Sequence, residues 1–350
     1  MRKKLILVTF LIFILVIITM LADKTVIKSS QTQKLTGINL NKIPTQSPVD
    51  SNPLSIQAMR NNSYPGSTIT IIQTLAPKPN YNQYIASYKS DGLTIYGLLT
   101  IPMGNTPNGG WPAIIFNHGY IPPEQYVTTE RYVAYVDAFA RDGYVVFKSD
   151  YRGNGNSEGN PEGAYYSPAY TADVLNAIAS VKKLKYVNPN KIGMWGHSMG
   201  GNITLRALVV DPKDIKVAVI WGGVVGSYND LINNWRRRVP YVPSPKELAN
   251  RNSGRQNLIA KYGTPAQNPQ FWNTIDPTSF VSDITAPIQL DVGGSDEEVP
   301  VAFSVNLYQK LQAAGKTAQL YEYPGSDHNI SQGFNLAMQR SVDFFNKYLK

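Results

Sequence analysis

Gly196-His197-Ser198-Met199-Gly200 constrains this chain more than any other stretch. The apolar run Lys191-Ile192-Gly193-Met194-Trp195 leads into it, and a helical pattern over residues 201–210 leads out. Strand, sharp turn and helix therefore meet at a serine. A turn that tight needs small residues on both sides, because its backbone is strained and a Cβ would clash. The serine hydroxyl is lifted above the sheet edge, beside a helix N-terminus, where developing negative charge is favoured. Taken alone, the pentapeptide also fits a glycine-rich turn with no chemistry, so its sequence context matters.

The surrounding pattern supplies that context. Residues 68–73, 83–88 and 93–101 alternate as antiparallel strands do, with Asp91-Gly92 as a hairpin turn between the last two. After that, strands at 113–116, 143–147, 191–195, 215–221, 288–292 and 318–323 alternate with helical stretches at 131–141, 170–184, 299–314 and 333–349. Such alternation predicts an α/β fold with a mostly parallel central sheet and crossover helices on its faces. It breaks once, from Gly222 to Ala286, too long a stretch for a plain connection. Residues 222–286 read as a helical insertion above the strand ends, where a lid or substrate wall would sit. Trp235 and Arg236 within it are candidate substrate contacts. Arg236-Arg237-Arg238 fits either recognition of an acidic group or a solvated surface face.

A serine hydroxyl becomes a useful nucleophile when a base takes its proton, and the base needs an acid to orient it. In a sheet of this kind the expected chain order is nucleophile, acid, histidine. Asp296 follows the 288–292 strand in Gly293-Gly294-Ser295-Asp296-Glu297-Glu298-Val299-Pro300, at the edge where ligand sites of open α/β sheets collect. Asp291, inside the strand, is its rival, and an acidic cap on the following helix is the non-catalytic reading. The chain has three histidines, His118, His197 and His328. His328, in the loop after the last strand, fits the order; His197 sits inside the turn and His118 precedes the serine. A tetrahedral oxyanion needs two backbone N–H donors. Met199, next to the nucleophile, offers one. Tyr120, in Asn117-His118-Gly119-Tyr120, offers the other and also suits a wall aromatic; His118 is then a structural residue of that loop.

Composition removes several classes. There is no cysteine, which excludes disulfides, thiolate metal sites and a cysteine nucleophile. The formal charge is +9, yet residues 1–42 hold seven Lys/Arg against one Asp, leaving 26 against 23 for the rest. No interleaved basic and aromatic stripe points to nucleic acid. Arg2-Lys3-Lys4 precedes an uncharged run at 5–22, just long enough to cross a bilayer. Residues 1–22 are therefore expected to be a signal-anchor in the cell membrane with the folded part outside, or else a cleaved signal of a secreted protein. Residues 23–66, rich in Ser, Thr, Gln, Asn and Pro, are expected to be a disordered linker, and 67–350 the folded domain.

Phe116-Asn117-His118-Gly119, residues 149–159 with Asp150-Tyr151-Arg152-Gly153, Gly196-His197-Ser198-Met199-Gly200-Gly201, Gly294-Ser295-Asp296-Glu297-Glu298-Val299-Pro300 and Gly325-Ser326-Asp327-His328 together resemble the α/β-hydrolase catalytic domain of the prolyl oligopeptidase family. The resemblance spans roughly residues 80–350. It implies a serine hydrolase without cofactor or metal, a serine-type peptidase acting on small peptides. By the family pattern, Asp150-Tyr151-Arg152-Gly153 is a structural loop near the site. Peptidases of the family usually carry a β-propeller before the catalytic domain, and none fits here, which favours the alternative of a carboxylesterase or acyl esterase with the same triad. A non-catalytic surface binding protein on the same fold is the remaining reading.

Overall fold

In the computed structural model the alternating pattern closes into a single sheet. The structure describes residues 52–237 and 245–350, with the backbone alone for 245–252. The strands are β1 (Thr70–Thr74), β2 (Tyr81–Ser90), β3 (Leu93–Pro102), β4 (Trp111–Asn117), β5 (Val145–Ser149), β6 (Val187–His197), β7 (Val217–Trp221), β8 (Ile288–Gly293) and β9 (Ala318–Tyr323). They pair in the order β1-β2-β3-β5-β4-β6-β7-β8-β9. β1 pairs antiparallel with β2, β2 with β3, and β3 with β5. From β5 to β9 every pairing is parallel. Ser90 pairs with Leu93 across Asp91 and Gly92, both at positive φ, the turn that matches strand twist in a two-residue hairpin.

The helices are α1 (Ile56–Asn61), α2 (Val133–Arg141), α3 (Ala169–Val181), α4 (Met199–Val210), α5 (Pro245–Tyr262), α6 (Pro269–Ile275), α7 (Val301–Ala313) and α8 (Phe334–Leu349). One hydrophobic cluster joins one face of the sheet to α1, α3, α4 and α7, through Ile56, Val174, Ile203 and Leu307. A second joins the other face to α2 and α8, through Phe139 and Phe345. The parallel strands are therefore covered on both sides, which is why they read as unbroken apolar runs. In α8 the buried residues Ala337, Met338, Ser341, Phe344, Phe345 and Leu349 fall on one face at helical spacing. All twelve residues of α4 are buried, so the helix behind Ser198 is held from every side.

The insertion after β7 is helical in its described parts: a π-turn at Asp230–Asn234, α5, α6 and a 3-10 turn at Pro277–Asp283. A small core of its own, with Tyr228, Phe271, Trp272 and Ile275, also takes in Leu54. The linker expected over 23–66 is corrected in its described part. Residues 52–66 pack on the domain, with α1 capped by Ser55 and with Ile56 and Met59 fully buried. Arg60 fixes α1 in place, donating to the Val209 carbonyl at the end of α4 and pairing with Asp283 at 2.7 Å. The membrane segment expected at 1–22, and the linker up to residue 51, lie outside the described residues. Among the described residues no helix is long and apolar enough to cross a membrane.

Candidate active site

Ser198 sits between the last residue of β6 and the first of α4, with φ 55° and ψ −118°. A non-glycine residue held there costs about 1–3 kcal/mol and persists only when its surroundings leave no alternative. Three glycines create those surroundings. A Cβ on Gly200 would stand 1.9 Å from the Asn117 carbonyl oxygen, one on Gly196 2.3 Å from Thr204 Oγ1, and one on Gly201 2.7 Å from Gly223 Cα. The backbone of Ser198 is also tied down. Its N–H donates to Trp221 O at 3.0 Å, and its carbonyl accepts from the N–H groups of Gly201 and Val224, each at 3.0 Å.

His328 and Asp296 meet at the same edge of the sheet. His328 Nδ1 donates to Asp296 Oδ2 at 2.7 Å, and Asp296 Oδ1 accepts the N–H groups of Glu298 at 2.8 Å and Val299 at 2.9 Å. Asp296 is 2% exposed and His328 7%. The carboxylate thereby fixes the tautomer: Nδ1 holds the proton and Nε2 is left to accept one. The ring lies over Gly222, which follows β7 and has φ +49°; a Cβ there would stand 3.1 Å from His328 Nδ1. Among the described residues no hydrogen bond joins Ser198 Oγ to the His328 ring. Such contacts tighten when substrate binds.

Asp291 is engaged elsewhere. Its carboxyl accepts from Tyr323 Oη and Gln289 Nε2, each at 2.7 Å, inside the sheet, and burial pushes it up to about 7. His118 is buried between the rings of Tyr126 and Tyr151, and burial holds its ring down at about 3. Its Nδ1 meets Gly119 O at 2.7 Å, so it shapes the loop that leads to Tyr120. That loop presses on Ser198, since a Cβ on Gly119 would come within 3.1 Å of Ser198 Cβ. Tyr120, next along, is half-buried against the core. Met199 opens α4, where an N–H has no acceptor within the helix.

The loop after β5 is a brace. Asp150, pushed up to about 6 by burial, accepts from Tyr126 Oη at 2.8 Å and Thr128 Oγ1 at 2.6 Å. Tyr151 Oη donates to His118 O at 3.2 Å, and Arg152 pairs with Asp173 and Asp91, both at 2.7 Å.

On the insertion, Trp235 Nε1 donates to Glu298 O at 2.8 Å, and its ring meets Tyr165 edge-on at 5.6 Å. Arg236 is exposed and Arg237 pairs with Glu298, so the insertion is stitched to the loop that carries Asp296. Arg238 lies outside the described residues. Sequence reasoning missed Tyr132 and Lys148. Tyr132 reads as a position on a helix, but Arg131 and Tyr132 are both left-handed, with φ 52° and 54°, just before α2 begins. Lys148 is fully buried within β5, its Nζ donating to Glu130 O at 3.0 Å, and burial lowers it to about 8. Among the described residues no group of three or more His, Cys, Asp or Glu is placed to hold a metal ion.

A strained serine beside helix N–H groups and, at the same sheet edge, a histidine with its tautomer set by a buried carboxylate are the kinds of group that acyl transfer to water uses. The model of the prolyl oligopeptidase family matches residues 131–350, which include Ser198, Asp296 and His328. The uncharacterized peptidase YtmA of Bacillus subtilis is 26% identical over 267 residues, 76% of this chain and 94% of that protein. Among solved structures, the acetyl xylan esterase from Paenibacillus sp. R4 aligns with a TM-score of 0.60 at 19% identity, over 84% of this chain and 92% of its own. The Pyrococcus horikoshii acylaminoacyl peptidase aligns with a TM-score of 0.60 at 21% identity, over 77% of this chain and 42% of its own. These two likenesses show the α/β-hydrolase fold.

Proposed function

This chain belongs to the prolyl oligopeptidase family and is a serine hydrolase, and we propose that Ser198, His328 and Asp296 are its catalytic triad, acting on small peptides. Ser198 Oγ attacks the substrate carbonyl while His328 Nε2 takes its proton. Asp296 holds the imidazole through Nδ1 and balances its positive charge. The N–H groups of Tyr120 and Met199 receive the oxyanion. His328 then gives its proton to the leaving amine, and a water, activated in the same way, releases the acid and restores Ser198. The 2.7 Å contact between His328 Nδ1 and Asp296 Oδ2, at the sheet edge where Ser198 stands, carries this reading.

An ester substrate is the second reading. It is favoured by the extent of the likenesses: the chain spans 92% of the acetyl xylan esterase and 42% of the acylaminoacyl peptidase. Turnover of aminoacyl anilides against short p-nitrophenyl esters separates the two. The peptidase reading expects the anilides to be hydrolysed with the higher kcat/KM, and activity confined to esters would contradict it. Either way, Ser198→Ala is expected to lower kcat by about 10⁴-fold or more, and Asp296→Asn by about 10⁴-fold. Trp235, beside Glu298 and Tyr165, is the proposed wall of the substrate site.

The uncharged run at 5–22 behind Arg2-Lys3-Lys4 supports a further proposal, an anchor that holds the domain on the outer side of the cell membrane. Fractionation of cells making the full chain should place it with the membranes, resistant to high salt. Recovery in the cytosol would remove both the anchor and the secreted alternative.

A further inference from the structure

Tyr132 makes two hydrogen bonds with one oxygen. Its Oη accepts the N–H of Gly119 at 2.9 Å and meets His197 Nδ1 at 2.7 Å. The other nitrogen of that ring, His197 Nε2, stands 3.1 Å from the backbone carbonyl of His328. A carbonyl can only accept, so Nε2 carries the proton of the neutral ring and Nδ1 accepts. His197 is fully enclosed, and burial holds it neutral, down at about 3. The direction of every bond follows. Gly119 N–H donates to Tyr132 Oη, Tyr132 O–H to His197 Nδ1, and His197 Nε2–H to His328 O.

This chain of bonds starts on the loop that precedes Tyr120 and ends on the backbone of His328. It passes through the residue just before Ser198. The three parts of the site come from loops after β4, β6 and β9, which are far apart in sequence, and Tyr132 is where they are tied together. We propose that Tyr132, acting through His197, is a positioning residue that sets the oxyanion loop and the histidine base in register around Ser198; this rests on the triad reading above. The backbone supports the assignment. Two consecutive non-glycine residues, Arg131 and Tyr132, are held in the left-handed region at φ 52° and 54°, and the turn delivers the Tyr132 ring to this spot. Gly119 is required for the same reason, since a Cβ there would stand 2.6 Å from Tyr132 Oη and 3.3 Å from His197 Nδ1.

Tyr132→Phe keeps the ring and removes the oxygen. The test combines kinetics per active site, titrated with a fluorophosphonate, with ¹⁵N spectra of histidine-labelled protein, which has only three histidines to resolve. The expected result is a fall in kcat of about ten- to hundredfold with KM within about twofold, the size a small misplacement of reacting groups produces. The His197 Nδ1 resonance should move toward that of a nitrogen without a donor, with Nε2 still protonated. A variant that loses only thermal stability, with kcat per titrated site within about twofold of the parent, would overturn the proposal. So would a parent spectrum showing the proton of His197 on Nδ1. Tyr132→Leu is the companion variant: if Tyr132 acts through its oxygen, its kcat matches that of Tyr132→Phe, and a far larger loss in Tyr132→Leu alone would contradict the role of the hydroxyl. The spectra do not depend on which serine reacts, so failure of the triad reading and failure of the relay are told apart.

Discussion

Asp291 and Asp296 lie five residues apart on the same strand-and-loop segment, and they have different hydrogen-bond partners. Asp296 accepts two backbone N–H groups and the His328 ring N–H. Asp291 has a tyrosine and an amide inside the sheet, and burial raises it from 3.8 to about 7. A raised acid stabilises the fold through its neutral form. That contribution is complete below 3.8 and is lost as pH rises through about 7. Asp291→Asn, whose amide Gln289 can meet by turning its own amide over, should flatten the fall in thermal midpoint across that window. Identical pH slopes for parent and variant would show that Asp291 is not titrating there. The sequence offered both aspartates as acids. Strand register separates them, because residue 291 faces into the layers while 296 lies past the strand end.

At the level of elements, the loop after β5 shows how the site is braced. Arg152 holds Asp173 on α3 through its guanidinium, and its own N–H donates to Asp173 Oδ2 at 2.8 Å; it also reaches Asp91 in the β2–β3 turn. Stranding one charge of a buried pair costs about 3–5 kcal/mol. Asp173→Ala leaves Arg152 with Asp91 alone, so that figure is an upper limit on its loss in chemical denaturation, and a loss under about 1 kcal/mol would mean that Asp91 and solvent satisfy Arg152. The strands were legible as apolar runs because both faces of the sheet are covered. Helix α1 was not. Six residues with two buried apolar side chains give no periodicity to detect, and its place is set by tertiary contacts with α4 and α6. Tyr132 was illegible for a related reason: no local pattern announces two left-handed residues whose justification lies in a histidine 65 positions away.

Over the whole sheet, the parallel strands bring their C-terminal ends to one edge, and the proposed site residues follow from that placement. Ser198 follows β6, Asp296 follows β8, His328 follows β9, and the Gly119–Tyr120 loop follows β4. The order of motifs along the chain was readable because this topology fixes which strand ends are neighbours. The insertion was readable only as a break in the alternation. Its packing comes from long-range contacts, such as Arg206 of α4 donating to Tyr228 Oη at 2.9 Å and to Ile275 O at 3.0 Å. The nucleophile is the point on which the rest depends. The full chain, treated with a fluorophosphonate and digested, should carry the adduct on the peptide that contains Ser198, with no labelling of Ser198→Ala. An adduct on another residue, or undiminished labelling of Ser198→Ala, would contradict the assignment of Ser198.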